Sequence, residues 1–199
     1  GTVYGKAHHL PIEENHPTNP ISPYGITKLA VEKYALMYHQ LSGLPIIIIR
    51  PSNPYGPNQY GERGQGFIGT AIFRILRNEE IVIYGDRGNV RDYIFVDDLA
   101  EGIVAALNHG VPGDIYNCGT GIGLDNQNIL DEIFSIIGHK FRSDRIVLKA
   151  TRPFDVDANV LNSQKLTNVS GWKPTFGLEE GLARTVKWVT SQLRSGKYQ

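Results

Sequence analysis

One cysteine, Cys118, stands in 199 residues. A lone cysteine excludes an internal disulfide and fits a reducing compartment. An excess of charge of either sign is missing too: Lys+Arg and Asp+Glu each count 20, a formal net charge of zero. That balance gives no electrostatic basis for a nucleic-acid partner or an anionic membrane surface. No apolar run comes near the roughly twenty residues needed to span a bilayer. The isoleucine run at 46–49 is closed at once by Arg50. No basic stretch followed by an apolar one opens the chain, so no secretory signal is read and a cytoplasmic location is expected. The histidines are scattered, apart from His8 and His9, and lack metal-ligand spacing, so no metal is expected. Repeats, linkers and low-complexity segments are lacking as well.

What is present reads as a globular chain, 41% hydrophobic and 20% charged. "GTVYG" at the start resembles the end of a strand entering a turn, and a chain seldom begins there; a fragment is expected. Ser22 can cap a helix with Pro23 at its first position. Ala30, Val31, Tyr34, Ala35, Tyr38 and Leu41 then recur at helical spacing, until Gly43 and Pro45 stop the helix. "LPIIIIR" (44–50) reads as a strand buried on both faces. A loop dense in Pro, Gly and Asn fills 50–66. A helix is expected at 67–78, strands at 80–85 and 92–96, and a helix capped by Asp97 and running to about Asn108. A strand at 113–119, a helix near 126–138, a strand at 145–150 and helices at 163–170 and 178–195 complete the pattern. Strands alternating with helices predict an α/β fold with a mainly parallel sheet. Ligands of such sheets bind beyond the carboxyl ends of strands, here the loops after Arg50 and Cys118.

Tyr24 and Lys28 stand at i and i+4, on one helix face. A tyrosine is mostly protonated at neutral pH, and a lysine cation or the positive end of a helix dipole favours the tyrosinate. Such a pair could take a proton from a sugar hydroxyl. Tyr-x-x-x-Lys is also common on solvated helix faces, so the pair needs its context. Cys118 reads as a small core residue rather than a nucleophile. "GTGIG" (119–123) lacks dinucleotide-fingerprint spacing, and no early strand is followed by G-x-G-x-x-G.

The ordered strings "GTVYG", "SPYGITK", "RPSNPYGPNQ", "VRDYIFVDDLAEGI", "YNCGTG", "RPFDV" and "GWKP" resemble the nucleotide-sugar epimerase/dehydratase family, the extended short-chain dehydrogenases. The resemblance covers nearly the whole chain and is nearest to the UDP-glucose 4-epimerases. It implies an incomplete Rossmann-like parallel sheet plus a small α/β substrate-binding subdomain. Residues 1–199 would be the carboxyl-terminal part, with the amino-terminal NAD-binding portion absent. The cofactor implied is NAD, the substrate a UDP-sugar, and the assembly a homodimer of the full-length parent. Tyr24 is then the acid and base at the sugar 4-hydroxyl, and Lys28 holds the nicotinamide ribose. The family's third catalytic residue, Ser or Thr, falls immediately before Gly1. Thr2 is its nearest neighbour here and touches the sugar. Dehydratases carry Asp-Glu at the positions of Gly1 and Thr2, which argues here for epimerisation by transient hydride transfer to NAD.

By the same resemblance Ser52 contacts the nicotinamide, and Asn53 the diphosphate or sugar. Without it, Asn53 could equally be a turn residue. Gly66 and Phe67 offer backbone at a helix start, where free N–H groups suit phosphate. Val82, Ile83 and Tyr84 line the uracil. Arg91 and Arg152 bind the pyrophosphate, for which paired guanidinium donors are suited. Asp155 accepts from the uridine ribose, and Asn159 flanks the sugar C2 substituent. Phe154 replaces a usual glycine and puts the local loop shape in question. Two other readings stay open: another enzyme of the family, a 4,6-dehydratase or decarboxylase, and an inactive truncated fragment that binds a nucleotide sugar.

Overall fold

The computed structural model describes residues 1–61, 64–138, 145–152 and 155–196. A 3-10 turn, Thr2–Tyr4, leads through a loop to helix α1 (Pro23–Ser42). Strands β1 (Ile48–Pro51) and β2 (Asn53–Tyr55) follow with one residue between them. Then come α2 (Phe67–Leu76), β3 (Ile81–Tyr84), β4 (Val90–Phe95) and α3 (Val96–His109). The chain continues through β5 (Ile115–Cys118), β6 (Gly123–Leu124), α4 (Asn126–Ile137) and β7 (Ile146–Lys149). It closes with β8 (Ala158–Asn159), α5 (Gln164–Ser170) and α6 (Leu178–Arg194).

The fold is α/β, as expected, and among the described residues its strands form three small sheets, parallel in every pairing but β4 with β6. β1 pairs in parallel with β5, placing Arg50 beside Asn117. β2 pairs in parallel with β4, whose other partners are antiparallel β6 and parallel β8. β3 pairs in parallel with β7. The largest core joins α2, α4 and α6 to β3 and β4 through Ile72, Ile83, Phe95, Ile129, Ile133 and Leu182. A second, under α3 and α5, contains Tyr116, Cys118, Leu166 and Trp172. Burial pushes the Cys118 thiol up to about 12, so it is an inert core residue.

Local chemistry explains where the expected elements were displaced. "GTVYG" is a 3-10 turn and not a strand end; Gly5 closes it with φ at +69°. α3 starts one residue before Asp97, with Phe95 at the cap and no side-chain cap bond. Asp97 therefore caps nothing. Its neighbour Asp98 is fully buried and accepts from Thr175 N, Thr175 Oγ1 and Phe176 N. That clamp fastens α3 to the segment leading into α6. In α1 the helix forms where expected, but its periodic apolar residues are not core. Val31 is 59% exposed, Tyr34 64% and Leu41 76%.

Candidate active site

Two devices set the start of α1. Ser22 Oγ accepts from Gly25 N at 3.1 Å, and Pro23 occupies the first turn. Gly25 lies so close to Pro20 and Thr2 O that a Cβ there would have no room. Tyr24 and Lys28 then project from the first two turns, with Lys28 Nζ 5.4 Å from the Tyr24 ring centroid. Tyr24 is 62% exposed on the wall of a cleft of about 750 Å³.

That cleft runs between α1 and the β1–β2 segment. Thr2, Tyr24, Lys28, Ser52, Asn53 and Asn159 all line it. A second cleft, of about 460 Å³, is lined by Gly66, Phe67, Val82, Tyr84 and Arg152. Asn53, Arg91 and Asp155 line both, so the two are one trough with a shared middle. Ile83 is the exception among the expected residues. Strand alternation turns Val82 and Tyr84 to the cleft and buries Ile83 completely in the core. Phe154 lies outside the described residues. The loop after Cys118 lines neither cleft. Buried Asp92 ties it down, accepting from Thr120 N, Thr120 Oγ1, Gly121 N and, across the chain, Leu161 N.

The electrostatics of the trough are uneven. Burial lowers the Arg91 guanidinium below its ordinary range, while Tyr93, Asp155 and Asp157 act to raise it. Its Nη1 donates to Val90 O at 2.8 Å. Arg152 lies 3.6 Å from the Tyr84 ring centroid, over a ring face that a stacked base would use. Burial pushes Tyr93 up to about 12, so it stays a neutral phenol. Ser52 is 5% exposed, and its Oγ has no hydrogen-bond partner among the described residues. An unpartnered buried hydroxyl on a cleft wall fits a polar ligand.

Several cleft residues escaped the sequence reading. Glu32 and Arg50 line the first cleft. Glu32 sits two turns beyond Tyr24 on the same face, and that i, i+4, i+8 run was the available signal. Asn89, Thr70 and Tyr93 line the second. A G-x-G-x-x-G run was also passed over: Gly64, Gly66 and Gly69 in "GQGFIG" open α2. It is no dinucleotide fingerprint, because β2 before it pairs with β4 and β3 after it pairs with β7, so no βαβ unit is formed. His8 and His9 gather on buried His16, with ring centroids 4.9 and 5.5 Å away. His16 Nε2 accepts from His8 N and Nδ1 donates to Pro17 O, so both nitrogens are occupied. Among the described residues no group of His, Cys, Asp and Glu could hold a metal ion, and no helix is long and apolar enough to cross a membrane.

Residues 1–119 match the NAD dependent epimerase/dehydratase family. UDP-glucose 4-epimerase of Mycolicibacterium smegmatis is 35% identical over 94% of this chain and 59% of its own length. The crystal structure of UDP-glucose 4-epimerase from Thermotoga maritima with UDP-glucose superposes at a TM-score of 0.90 and 34% identity, covering 97% of this chain and 62% of that one. A dTDP-glucose 4,6-dehydratase from Streptomyces venezuelae, solved with NAD bound, gives 0.90 at 30% identity over 98% and 59%. The chain thus spans about three fifths of the length of these relatives. The Rossmann-like fold, the trough and these likenesses together make the chain a member of the NAD-dependent epimerase/dehydratase family.

Proposed function

We propose that this chain carries the proton-transfer pair and the substrate trough of an NAD-dependent UDP-hexose 4-epimerase. The observation that carries the reading is the trough itself. Tyr24 and Lys28 stand at one end, Val82 and Tyr84 at the other, and Asn53, Arg91 and Asp155 between them. A nucleotide sugar has the same order: sugar, diphosphate, nucleoside. Tyr24 Oη accepts the proton of the sugar 4-hydroxyl and later returns it to the same oxygen. Lys28 holds the nicotinamide ribose, and the Ser52 hydroxyl offers a further partner on that wall. Bound NAD supplies the acceptor, then the donor, of the hydride at C4. Arg91 and Arg152 meet the diphosphate with paired donors, joined by the free N–H groups where α2 begins at Phe67. The whole enzyme would act in the cytoplasm as a homodimer.

Dehydratases are also among the relatives, so the reaction class needs its own argument. Gly1 supplies one. Asn159 Nδ2 donates to Gly1 O at 3.0 Å, and a Cβ built on Gly1 would overlap Asn159 Oδ1. An aspartate at position 1, as the dehydratase pattern requires, would oblige the tip of the Asn159 side chain to move. The test, for this reaction and for the Tyr24 variant below, is product analysis of the full-length parent with UDP-glucose and NAD. Inversion to UDP-galactose is expected, and a 4-keto-6-deoxy sugar as main product would overturn the reading. Tyr24→Phe should lower turnover by roughly 10²–10⁴, the scale of general acid–base catalysis; undiminished turnover would remove Tyr24 from the mechanism.

A further inference from the structure

α1 runs for 20 residues and buries one of them, Gly25. Further along, an ion pair holds its cleft-facing side. Arg50, near the end of β1, donates twice to Glu32: Nε to Oε1 at 3.0 Å and Nη2 to Oε2 at 2.7 Å. Both side chains are withdrawn from solvent, at 5% and 11% exposure. The guanidinium also lies 4.6 Å from the centroid of the buried Tyr4 ring. Such a two-pronged pair fixes orientation as well as charge.

The spacing along α1 gives Glu32 a second suitor. Lys28 lies one turn earlier on the same face, and opposite charges at i and i+4 attract on a helix. Yet Lys28 holds its ammonium beside the Tyr24 ring, while both Glu32 oxygens are taken by Arg50. We propose that Arg50 is a positioning residue for the Tyr24–Lys28 pair: its grip on Glu32 keeps that carboxylate from capturing Lys28 and drawing the ammonium away from Tyr24. Without the guanidinium, Glu32 would be a nearly buried carboxylate deprived of its two-pronged partner, which is costly. Turning to Lys28 relieves that cost. The inference rests on reading Tyr24 and Lys28 as the reacting pair, but its first test does not.

That test is the rate of Lys28 acetylation by an N-hydroxysuccinimide acetate, followed by mass spectrometry with exposed Lys33 as internal reference. Arg50→Met should slow Lys28 relative to Lys33 by about twofold, the scale of an i, i+4 ion pair. Adding Glu32→Gln should restore the wild-type rate, and Arg50→Lys, which keeps a cation on Glu32, should leave it unchanged. A purely structural role predicts a loosened α1, a Lys28 that reacts as fast or faster, and no rescue by Glu32→Gln; either result overturns the proposal. If Arg50→Met does not fold, Arg50→Gln takes its place, since the amide still donates to Glu32 without matching its charge. The second readout is turnover of UDP-glucose with NAD by the full-length parent carrying the same substitutions. Arg50→Met should lower kcat with KM little changed, and Glu32→Gln should recover it; a kcat loss without recovery counts against the proposal. The expected acetylation pattern in a protein that turns over no nucleotide sugar would uphold the hold on Lys28 and sink the reaction assigned to the pair.

Discussion

Asp97 and Asp98 are neighbours with opposite fates. Asp98 is wholly buried with three donors on its carboxylate, whereas the Asp97 side chain is 56% exposed and reaches Arg184 only at 3.9 Å. Asp98→Asn turns an amide N–H₂ toward those donors and should cost about 2–3 kcal/mol, since abandoned buried donors cost about 1–3 each. Asp97→Asn should lie within about 0.5 kcal/mol of wild type, as exposed pairs contribute little. Urea unfolding of both variants checks this, and equal losses would refute the assignment. Asn159 offers a second contrast. It is 4% exposed, pinned to Gly1 O, and smaller than a tyrosine would be at that place on the cleft wall. UDP-N-acetylglucosamine should therefore be turned over alongside UDP-glucose. Asn159→Tyr should reduce the N-acetyl activity selectively, by about ten- to a hundredfold, the scale of steric discrimination in a pocket. An enzyme active on UDP-glucose and blind to the N-acetyl sugar in its wild-type form would refute the prediction.

At the scale of elements, α4 shows a helix start built from charge. Asp125 accepts from Asn128 N at 2.7 Å, Asn128 Oδ1 accepts from Asp125 N, and Arg87 Nε donates to Asp125 at 2.6 Å. Burial acts to raise the Asp125 carboxyl, but the bonds from Arg87 and Asn128 outweigh it and hold it below its usual range. A carboxyl lowered in the folded state stabilises above its unfolded value, near about 4, and loses that contribution as pH falls through the lower folded value. Asp125→Ala should cost about 1 kcal/mol at neutral pH. The difference from wild type should shrink on acidification below about pH 4, as thermal unfolding across pH would show; a constant difference would contradict it. Local signals of this kind were legible in the sequence. Ser22–Pro23 and Gly43 mark the ends of α1, and the helices and longer strands lie close to where periodicity places them, except that β1 begins at Ile48 and not at Leu44. β2, β6 and β8 were not legible. Asn53-Pro54-Tyr55 sits in a Pro- and Gly-dense loop, and the other two strands are two residues long. Only long-range pairing with β4 makes them strands. Most site residues were reached through their motif strings; Glu32 was missed although it continues the i, i+4 run of Tyr24 and Lys28, and Arg50 and Asp92 were missed because partners distant in sequence give them their place.

For the molecule as a whole, α1 poses the largest question of what covers it. Its cleft side carries Tyr24, Val31 and Ala35. The opposite side carries Ile26, Tyr34, Met37 and Leu41, at helical spacing and exposed by 56%, 64%, 38% and 76%. A helix apolar on two opposite faces is the pattern of a helix buried on both. Monomers seldom expose contiguous apolar patches beyond a few hundred Å². The cleft side has the proposed reaction to serve; the far side has no such role, and a second copy of the same helix would offer it the same residues. A twofold contact of that kind is self-complementary, so each substitution acts twice. The homodimer proposed above should therefore persist in the 199-residue chain and be read by sedimentation velocity as a concentration-dependent dimer. Tyr34→Lys with Leu41→Lys places like charges across the contact and should shift the chain to monomer, with the fold retained by circular dichroism. Tyr24→Lys, on the cleft side, should leave the association unchanged. A wild-type chain that sediments as monomer throughout the micromolar range, or a dimer indifferent to the two lysines, would place the contact on some other surface.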